Sequence, residues 1–203
     1  MKFSQNRIFP SYIGRWGLKD YRKVTTLMDH TKDIDLDLCL SKISRCDEFA
    51  LEELYRAFAK PIYRFSLMNL QDPSLAEDAM QETFIRIMSY SATYKLGTNA
   101  RAWIFRIAKN ACMDILAKKL PVTDDETMAR ISDEYQIDDV TENIVLKDAI
   151  GRLTPVEREI LSLYIYSGLK QTEIASVMRI PYIKVRSHYK YAIQKLRKEL
   201  SEK

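Results

Sequence analysis

The residues of this 203-residue chain best suited to chemistry are three carboxylates, Glu77, Asp78 and Glu82, with Gln81 among them. On a helix Asp78, Gln81 and Glu82 share one face, because side chains three and four positions apart stack above one another. Such a set could hold a metal ion or exchange protons, and a metal-dependent nuclease is one reading of it. The neighbouring sequence supplies no His, no Gly-rich phosphate cradle and no nucleophile with its base, so a polar face for a partner protein is the stronger reading. Cys39, Cys46 and Cys112 form no CxxC pair, and His30 and His188 stand apart from them. Neither a zinc site nor a disulfide framework is expected. The sequence therefore leads us to expect no catalytic residue, no metal and no cofactor.

Basic residues form a second kind of signal. Arg179 to Lys198 carries seven basic residues and no acid, with Tyr182, Ser187, His188, Tyr189 and Tyr191 among Lys184, Arg186 and Lys190. Lysine and arginine neutralise phosphates and release counterions, while side chains near the start of such a helix reach base edges in the major groove. A second tract holds Lys95, Arg101, Arg106, Lys109, Lys118 and Lys119, with Tyr94, Trp103, Phe105 and Asn110 and a single acid, Asp114. Cations interleaved with aromatics suit single-stranded or locally melted DNA, whose unstacked bases lie against rings. Two such tracts on either side of a linker imply contact with two separated DNA segments.

The elements that must position these residues read as helices. Only 5 Gly and 6 Pro accompany 46% hydrophobic and 30% charged residues, a balance that favours an all-α fold. Leu51, Leu54, Tyr55 and Phe58 recur at helical steps from Asp47 until Pro61, which is expected to break the helix. Asp72-Pro73 starts another helix, with Ala76, Met80, Phe84 and Ile87 on its apolar stripe. Residues 94–99, with Gly97 and Asn99, read as a loop before a helix over about 100–119 that buries Ile104, Ile107, Ala108, Ala111, Ile115 and Leu116. Residues 121–143 carry eight acids and one base without amphipathic period, and read as a flexible acidic linker. A short helix then leads to Thr154-Pro155-Val156-Glu157, a capping box with Pro at the first helical position. Ile160, Leu161, Tyr164 and Ile165 are expected on its buried face. Ser167-Gly168 ends it, and helices over about 171–178 and 181–201 follow, with Ile180 and Val185 facing inward. A short helix, a tight turn and a longer basic helix make a helix-turn-helix.

These readings give two small helical domains joined by an acidic flexible linker, the second a helix-turn-helix. Residues 1–38 read as a disordered leader, 39–120 as the first domain, 121–143 as the linker and 144–203 as the second domain. Met28 opens a more typical acidic start, so residues 1–27 can also be read as lying upstream of the translated chain. No apolar run approaches a membrane span, and the N-terminus lacks a cleavable signal pattern. A cytoplasmic protein, monomeric when free and without membrane insertion, is expected.

Three stretches carry a resemblance to a known family: DEFALEELYRAFAKPIYRFSLMNL over 47–70, the 72–119 segment with AEDAMQETFIRI and RAWIFRIAKNACMDILAKK, and the 153–200 segment beginning LTPVEREILSLYIYSGLKQTEIASVMRI. In their order and spacing they resemble the extracytoplasmic-function (ECF) subfamily of bacterial RNA polymerase sigma factors. The resemblance implies that the two domains are sigma regions two and four, and that the chain directs core RNA polymerase to promoter DNA. It implies that Asp78, Gln81 and Glu82 dock on a coiled coil of the polymerase. Arg101, Trp103, Arg106, Lys109, Asn110, Lys118 and Lys119, with the 94–99 loop, would hold the melted minus-ten strand. Tyr182, Lys184, Arg186, Ser187, His188, Lys190 and Tyr191 would read the minus-thirty-five element, and an anti-sigma protein, often membrane-bound in such systems, becomes a plausible partner. Three positions depart from the family's habit: Arg179 and Ile183 replace usual glycines, and Lys170 stands where a capping Ser is common. A free-standing helix-turn-helix regulator is the alternative; it accounts for residues 144–203 and leaves the second basic tract and the Asp78 face without a role.

Overall fold

Five helices of this protein start where a side-chain oxygen takes up a backbone N–H that the helix itself leaves unpaired. In the computed structural model, which describes residues 34–119 and 144–201, Asp35 accepts from Leu38 to open α1 (Leu36–Ile43). Asp47 accepts from Phe49 and Ala50 to open α2 (Glu48–Leu70). Asp72 accepts from Leu75, with Pro73 at the first turn, to open α3 (Pro73–Tyr90). Asn99 accepts from Ala102 at 2.9 Å and opens α4 (Ala100–Lys119). The second half holds α5 (Ile144–Gly151), α6 (Pro155–Ser162), α7 (Gln171–Met178) and α8 (Tyr182–Ser201). Among the described residues every regular element is helical, and no helix is long and apolar enough to cross a membrane. Residues 1–33 of the expected leader and the acidic linker over 121–143 lie outside the described residues.

Four sequence expectations need correction. The boundary at residue 38 falls inside α1, whose Cys39, Leu40 and Ile43 are buried in the core. Pro61 does not break α2, which runs unbroken for 23 residues. An interior Pro costs about 3 kcal/mol, but Phe58, Ile62 and Phe65 around it are at most 1% exposed, and each such burial contributes about 1.5–3 kcal/mol. Packing outweighs the missing hydrogen bond. Leu116 is exposed, because α4 runs past the helices that cover it. Tyr164 and Ile165 are also exposed, while Leu163 is fully buried. After α6 the chain widens into a single π-helical turn, Leu163–Ser167, whose extra residue per turn rotates the apolar face away from the α-helical period. Gly168, at φ 67°, ends that turn in the left-handed region.

The two halves share one core. Phe58, Phe65 and Phe105 pack ring against ring at 5.7–6.4 Å in the first half, and the same buried cluster continues through Ile160, Leu163, Ile174 and Val185 of the second. Met68, at the end of α2, joins Leu153, Leu161 and Ala192 in a smaller cluster. From Ile34 onward the chain forms one compact unit.

The helix-turn-helix carries two local features that work against its stability. Arg179 closes α7 at φ 56°, ψ 40°, left-handed backbone that an L side chain adopts at a cost of about 1–2 kcal/mol. Lys170 offers α7 no side-chain acceptor, so Glu173 alone makes half a capping box by accepting from the Lys170 N–H at 2.7 Å. By contrast, α6 has the full box. Glu157 accepts from the Thr154 N–H at 2.9 Å, its own N–H meets Thr154 Oγ1 at 3.3 Å, and Lys195 Nζ of α8 reaches its carboxylate at 2.7 Å. Burial works against the charge on Glu157, but Lys195 and Thr154 outweigh it and hold the carboxyl below the usual carboxylate range. A depressed folded-state value stabilises above the unfolded value, and that stability is lost as pH falls through the folded one. Glu157→Gln is expected to lower the unfolding free energy by about 2 kcal/mol near neutrality. The gap to the native chain should shrink in acid; denaturant titrations at both pH values check it, and a pH-independent gap would remove Lys195 from the explanation. Arg179→Gly is expected to stabilise the fold by about 1 kcal/mol, read as a rise in melting temperature of about 2–4 °C. An unchanged or lower midpoint would show that the Arg179 conformation is not strained.

Candidate nucleic-acid interface

On α8 the inward positions are few and regularly spaced. Val185 and Ala192 are fully buried and Tyr189 is half-buried against the ring of Tyr164 at 4.8 Å. That spacing fixes the roll of the helix and sends the intervening residues outward. Tyr182, Lys184, Arg186, Ser187, Lys190 and Tyr191 are exposed, and His188 is half-buried. Ser187 donates back to the Ile183 carbonyl at 2.9 Å. Among the described residues Lys184, Arg186 and Lys190 pair with no carboxylate, whereas Lys195 is committed to Glu157. The first three turns of α8 therefore present an unneutralised basic face beside aromatic rings, suited to phosphates and base edges.

The second predicted set is brought onto α4 and the loop before it, but its residues are unequally available. Asn110 and Lys118 are exposed, and Lys119 lies in the last turn of the helix. Trp103 is half-buried, with its ring 5.5 Å from that of Tyr94. Arg101 is half-buried, with its guanidinium 5.1 Å over the Phe58 ring and Nη1 3.4 Å from the Ser167 carbonyl. Lys109 Nζ stands 3.2 Å from Glu159 of α6, the two side chains being 14% and 20% exposed. Burial pushes the Glu159 carboxyl up, and Lys109 partly counters it. Beside Trp103 and Arg106 lies a cleft of about 400 Å³, lined also by Thr93, Lys95, Thr98, Asn99, Ala102, Glu173 and Ser176. The loop that forms its rim is held from α1: Asp37 accepts from the Tyr94 hydroxyl and from the Gly97 N–H at 3.1 Å, and the hydroxyl also meets the Thr98 carbonyl at 2.7 Å. Gly97 adopts φ 78°, which explains a glycine at the tip of this loop.

Sequence reasoning missed Asp37, Glu159 and Glu173. Asp37 was assigned to the leader, although Asp35 three residues before Leu38 was a readable cap signal. Glu159 and Glu173 looked like the solvated faces of short helices, and only the packing of the two halves shows that they meet α4 and its loop.

On α3, Asp78 is exposed and Gln81 and Glu82 are half-buried, so the three do share one accessible face. Glu82 accepts from Arg86 at 2.7 Å, and Arg86 also pairs with Asp114 of α4 at 2.7 Å, a bridge that ties α3 to α4. Glu77 is pushed up by burial and by Asp78. Among the described residues no group of three or more His, Cys, Asp or Glu is placed to hold a metal ion.

The Sigma-70 region 2 family matches residues 54–120, and the Sigma-70 region 4 family matches residues 149–198. The chain is 28% identical over 152 residues to the ECF RNA polymerase sigma factor SigM of Bacillus subtilis, covering 72% of this chain and 93% of that one. It is 26% identical over 158 residues to the ECF RNA polymerase sigma factor SigL of Mycobacterium tuberculosis, covering 75% and 89%. Among solved structures its fold is similar to that of CnrH in complex with the cytosolic domain of CnrY, with TM-score 0.63, 19% identity and coverage of 83% and 99%. It is also similar to the sigma factor RpoE in complex with the anti-sigma factor NepR from Bartonella quintana, with TM-score 0.60, 20% identity and coverage of 74% and 96%. With region 2 and region 4 both present, in that order and on a wholly helical scaffold, the chain belongs to the ECF family of RNA polymerase sigma factors.

Proposed function

We propose that this sigma factor divides its work among three faces: α3 engages core RNA polymerase, α4 with the 94–99 loop holds the melted minus-ten strand, and α8 reads the minus-thirty-five element. The observation that carries the proposal is the separation of charge. Two basic faces of different character lie on different helices, and the acidic residues Asp78 and Glu82 lie on a third, α3. A basic helix whose first turns project Lys184, Arg186 and Lys190 into solvent matches a duplex groove. Trp103, Arg106 and a polar cleft match an unstacked base and its backbone, where ring stacking and cation contacts replace groove readout. DNA has no use for the carboxylates of Asp78 and Glu82, which suit a protein partner with basic residues.

The acidic segment over 121–143 then links the two DNA-binding halves, and its charge keeps it off the promoter. The domain limits proposed are 39–120 for region 2 and 144–203 for region 4, with α1 added to the first. An anti-sigma protein is a plausible further partner; the RpoE and CnrH structures, which resemble this chain in fold, were each obtained as complexes. The activity so proposed is promoter recognition and melting on behalf of the polymerase.

Run-off transcription from fragments of the source genome, with core polymerase and with or without this chain, tests the whole reading. Discrete new start sites that depend on the chain are expected, and their absence alongside DNA binding by the free protein would favour a free-standing regulator. Reversing charge at Asp78 and Glu82 together is expected to lower core-polymerase affinity at least about tenfold, a loss of about 1.4 kcal/mol, with helicity unchanged; retained affinity would reassign that face. Arg186→Ala is expected to cost about 1–3 kcal/mol of upstream discrimination, and an unchanged base preference in selected promoters would exclude Arg186 from readout.

A further inference from the structure

The loop over 94–99 has little burial of its own to give it a shape. Tyr94 at its root is buried, while residues 95–99 are all exposed, Leu96 at 65%. A segment without apolar contacts keeps one conformation only where polar links offset the entropy of ordering it. Two such links reach it from another helix of the same half. Asp37 of α1 accepts from the Tyr94 hydroxyl with Oδ1 and from the Gly97 N–H with Oδ2, the latter at 3.1 Å. One carboxyl group thus spans the loop from root to tip. The Tyr94 hydroxyl also stands 2.7 Å from the Thr98 carbonyl, which draws the far side of the loop into the same bracket. Burial, with Asp37 beside it, pushes the Tyr94 hydroxyl up, so it stays a protonated donor. Gly97 turns at φ 78° although a Cβ there would meet nothing within 4 Å. The glycine therefore serves the backbone turn that aims its N–H at Asp37, not a shortage of space.

Asp37 is itself held in place. Leu36, Leu40 and Ile43 recur at helical steps on α1 and pack into the core, which fixes the roll of the helix and carries Asp37 to the loop. On the other side the Tyr94 ring lies 5.5 Å from that of Trp103, which lines the cleft with Lys95, Thr98 and Arg106. The loop side of the cleft is thus tied through Tyr94 to Asp37. Other links are local or lie at one end: Thr98 Oγ1 donates to the Lys95 carbonyl at 2.7 Å, and Asn99 caps α4 and donates to Glu173. They keep the turn and the start of α4, but they do not place the tip against α1. Choosing one base over another needs its contacts held to about 0.5 Å, which takes supporting groups behind the contacting ones. We propose that Asp37 is a positioning residue for base choice in the minus-ten strand. Without touching DNA it holds the root and tip of the loop together, and so decides which base the loop prefers. This rests on the assignment of that loop to the melted strand.

The test uses the full chain assembled with core polymerase, and promoters in which each minus-ten position carries each of the four bases in turn. Asp37→Ala removes both acceptors, Asp37→Asn keeps the shape but leaves one carbonyl oxygen for two donors, and Tyr94→Phe removes the link at the root alone. Asp37→Ala is expected to lower the preference for the best base at a minus-ten position at least about fivefold, the lower end of what one base contact supplies. Asp37→Asn and Tyr94→Phe should fall between it and the native chain. Base preference in the minus-thirty-five element and affinity for the core enzyme should stay as they are. Because Asp37 acts through the loop, Asp37→Ala combined with Tyr94→Phe should lose less than the product of the two single losses. Lower output on every promoter with the ratios among the four bases kept would make Asp37 a merely structural group and overturn the inference. Losses that multiply independently would overturn it as well. Circular dichroism and a thermal melt check the fold, and where Asp37→Ala does not fold the isosteric Asp37→Asn carries the same comparison. Lys95→Ala with Leu96→Ala separates this inference from the reading it rests on. If that pair shifts base preference while the Asp37 variants do not, the loop reads the base and only the role of Asp37 fails. If the pair leaves base preference untouched, the loop is not the reader and both fall.

Discussion

The structure depends on α2 staying helical through Pro61. This 23-residue helix is the element that both halves of the chain pack against: Phe58 and Phe65 anchor the three-ring core with Phe105, and Met68 and Asn69, one to two turns further on, meet the second half. A break at Pro61 would leave Phe58 free to turn independently of Phe65, Met68 and Asn69, and the register between α4 and α6 would be lost. The helix survives because the penalty of an interior Pro, about 3 kcal/mol, is smaller than what several fully buried aromatic and aliphatic side chains on both sides contribute together. Burial enforces a backbone that local propensity disfavours.

From that platform the charge distribution follows. α3 and α4 pack on α2 with their apolar stripes, which leaves acids on the outer face of α3 and bases on α4. Arg86 reconciles the two where they meet, bridging Glu82 and Asp114. In the second half the roll of α8 is set by Val185 and Ala192, and the same roll places Lys195 over Glu157 while leaving Lys184, Arg186 and Lys190 unpaired. One lysine of the basic helix thus serves stability, while Lys184, Arg186 and Lys190 stay exposed. The division is decided by position along the helix axis, since only the distal part of α8 passes over the start of α6.

Much of this was legible in the sequence because the signals were local. Asp72-Pro73, Thr154-Pro155-Val156-Glu157 and Ser167-Gly168 place element boundaries through short-range hydrogen bonding and left-handed backbone, and all three stand where the sequence placed them. The outward set of α8 was legible for the same reason, from a period around Val185. The misreadings came from influences that act over distance or that change the period. Pro61 is overridden by tertiary burial, the π turn after Ser162 shifts the apolar face so that Tyr164 and Ile165 turn outward, and α1 is too short for its period to stand out until its buried face is seen against α2. The paired roles of Asp37, Glu159 and Glu173 were invisible because their partners are 60, 50 and 74 residues away in sequence.

The contact between the halves also sets the surroundings of Arg101 and Lys109. A guanidinium over a phenyl ring and an ammonium beside a carboxylate are each partly desolvated, and desolvation weakens the hold of Arg101 on its proton. These groups carry positive charge in a setting that only partly compensates it. A phosphate backbone, with its denser negative charge and several acceptor oxygens per residue, would compensate it more fully than one carboxylate and a backbone carbonyl can. The contact therefore keeps Arg101 and Lys109 in register while compensating their charge only in part. On α6 and α7 the acceptors are single carboxylates, Glu159 toward Lys109 and Glu173 toward the Asn99 amide.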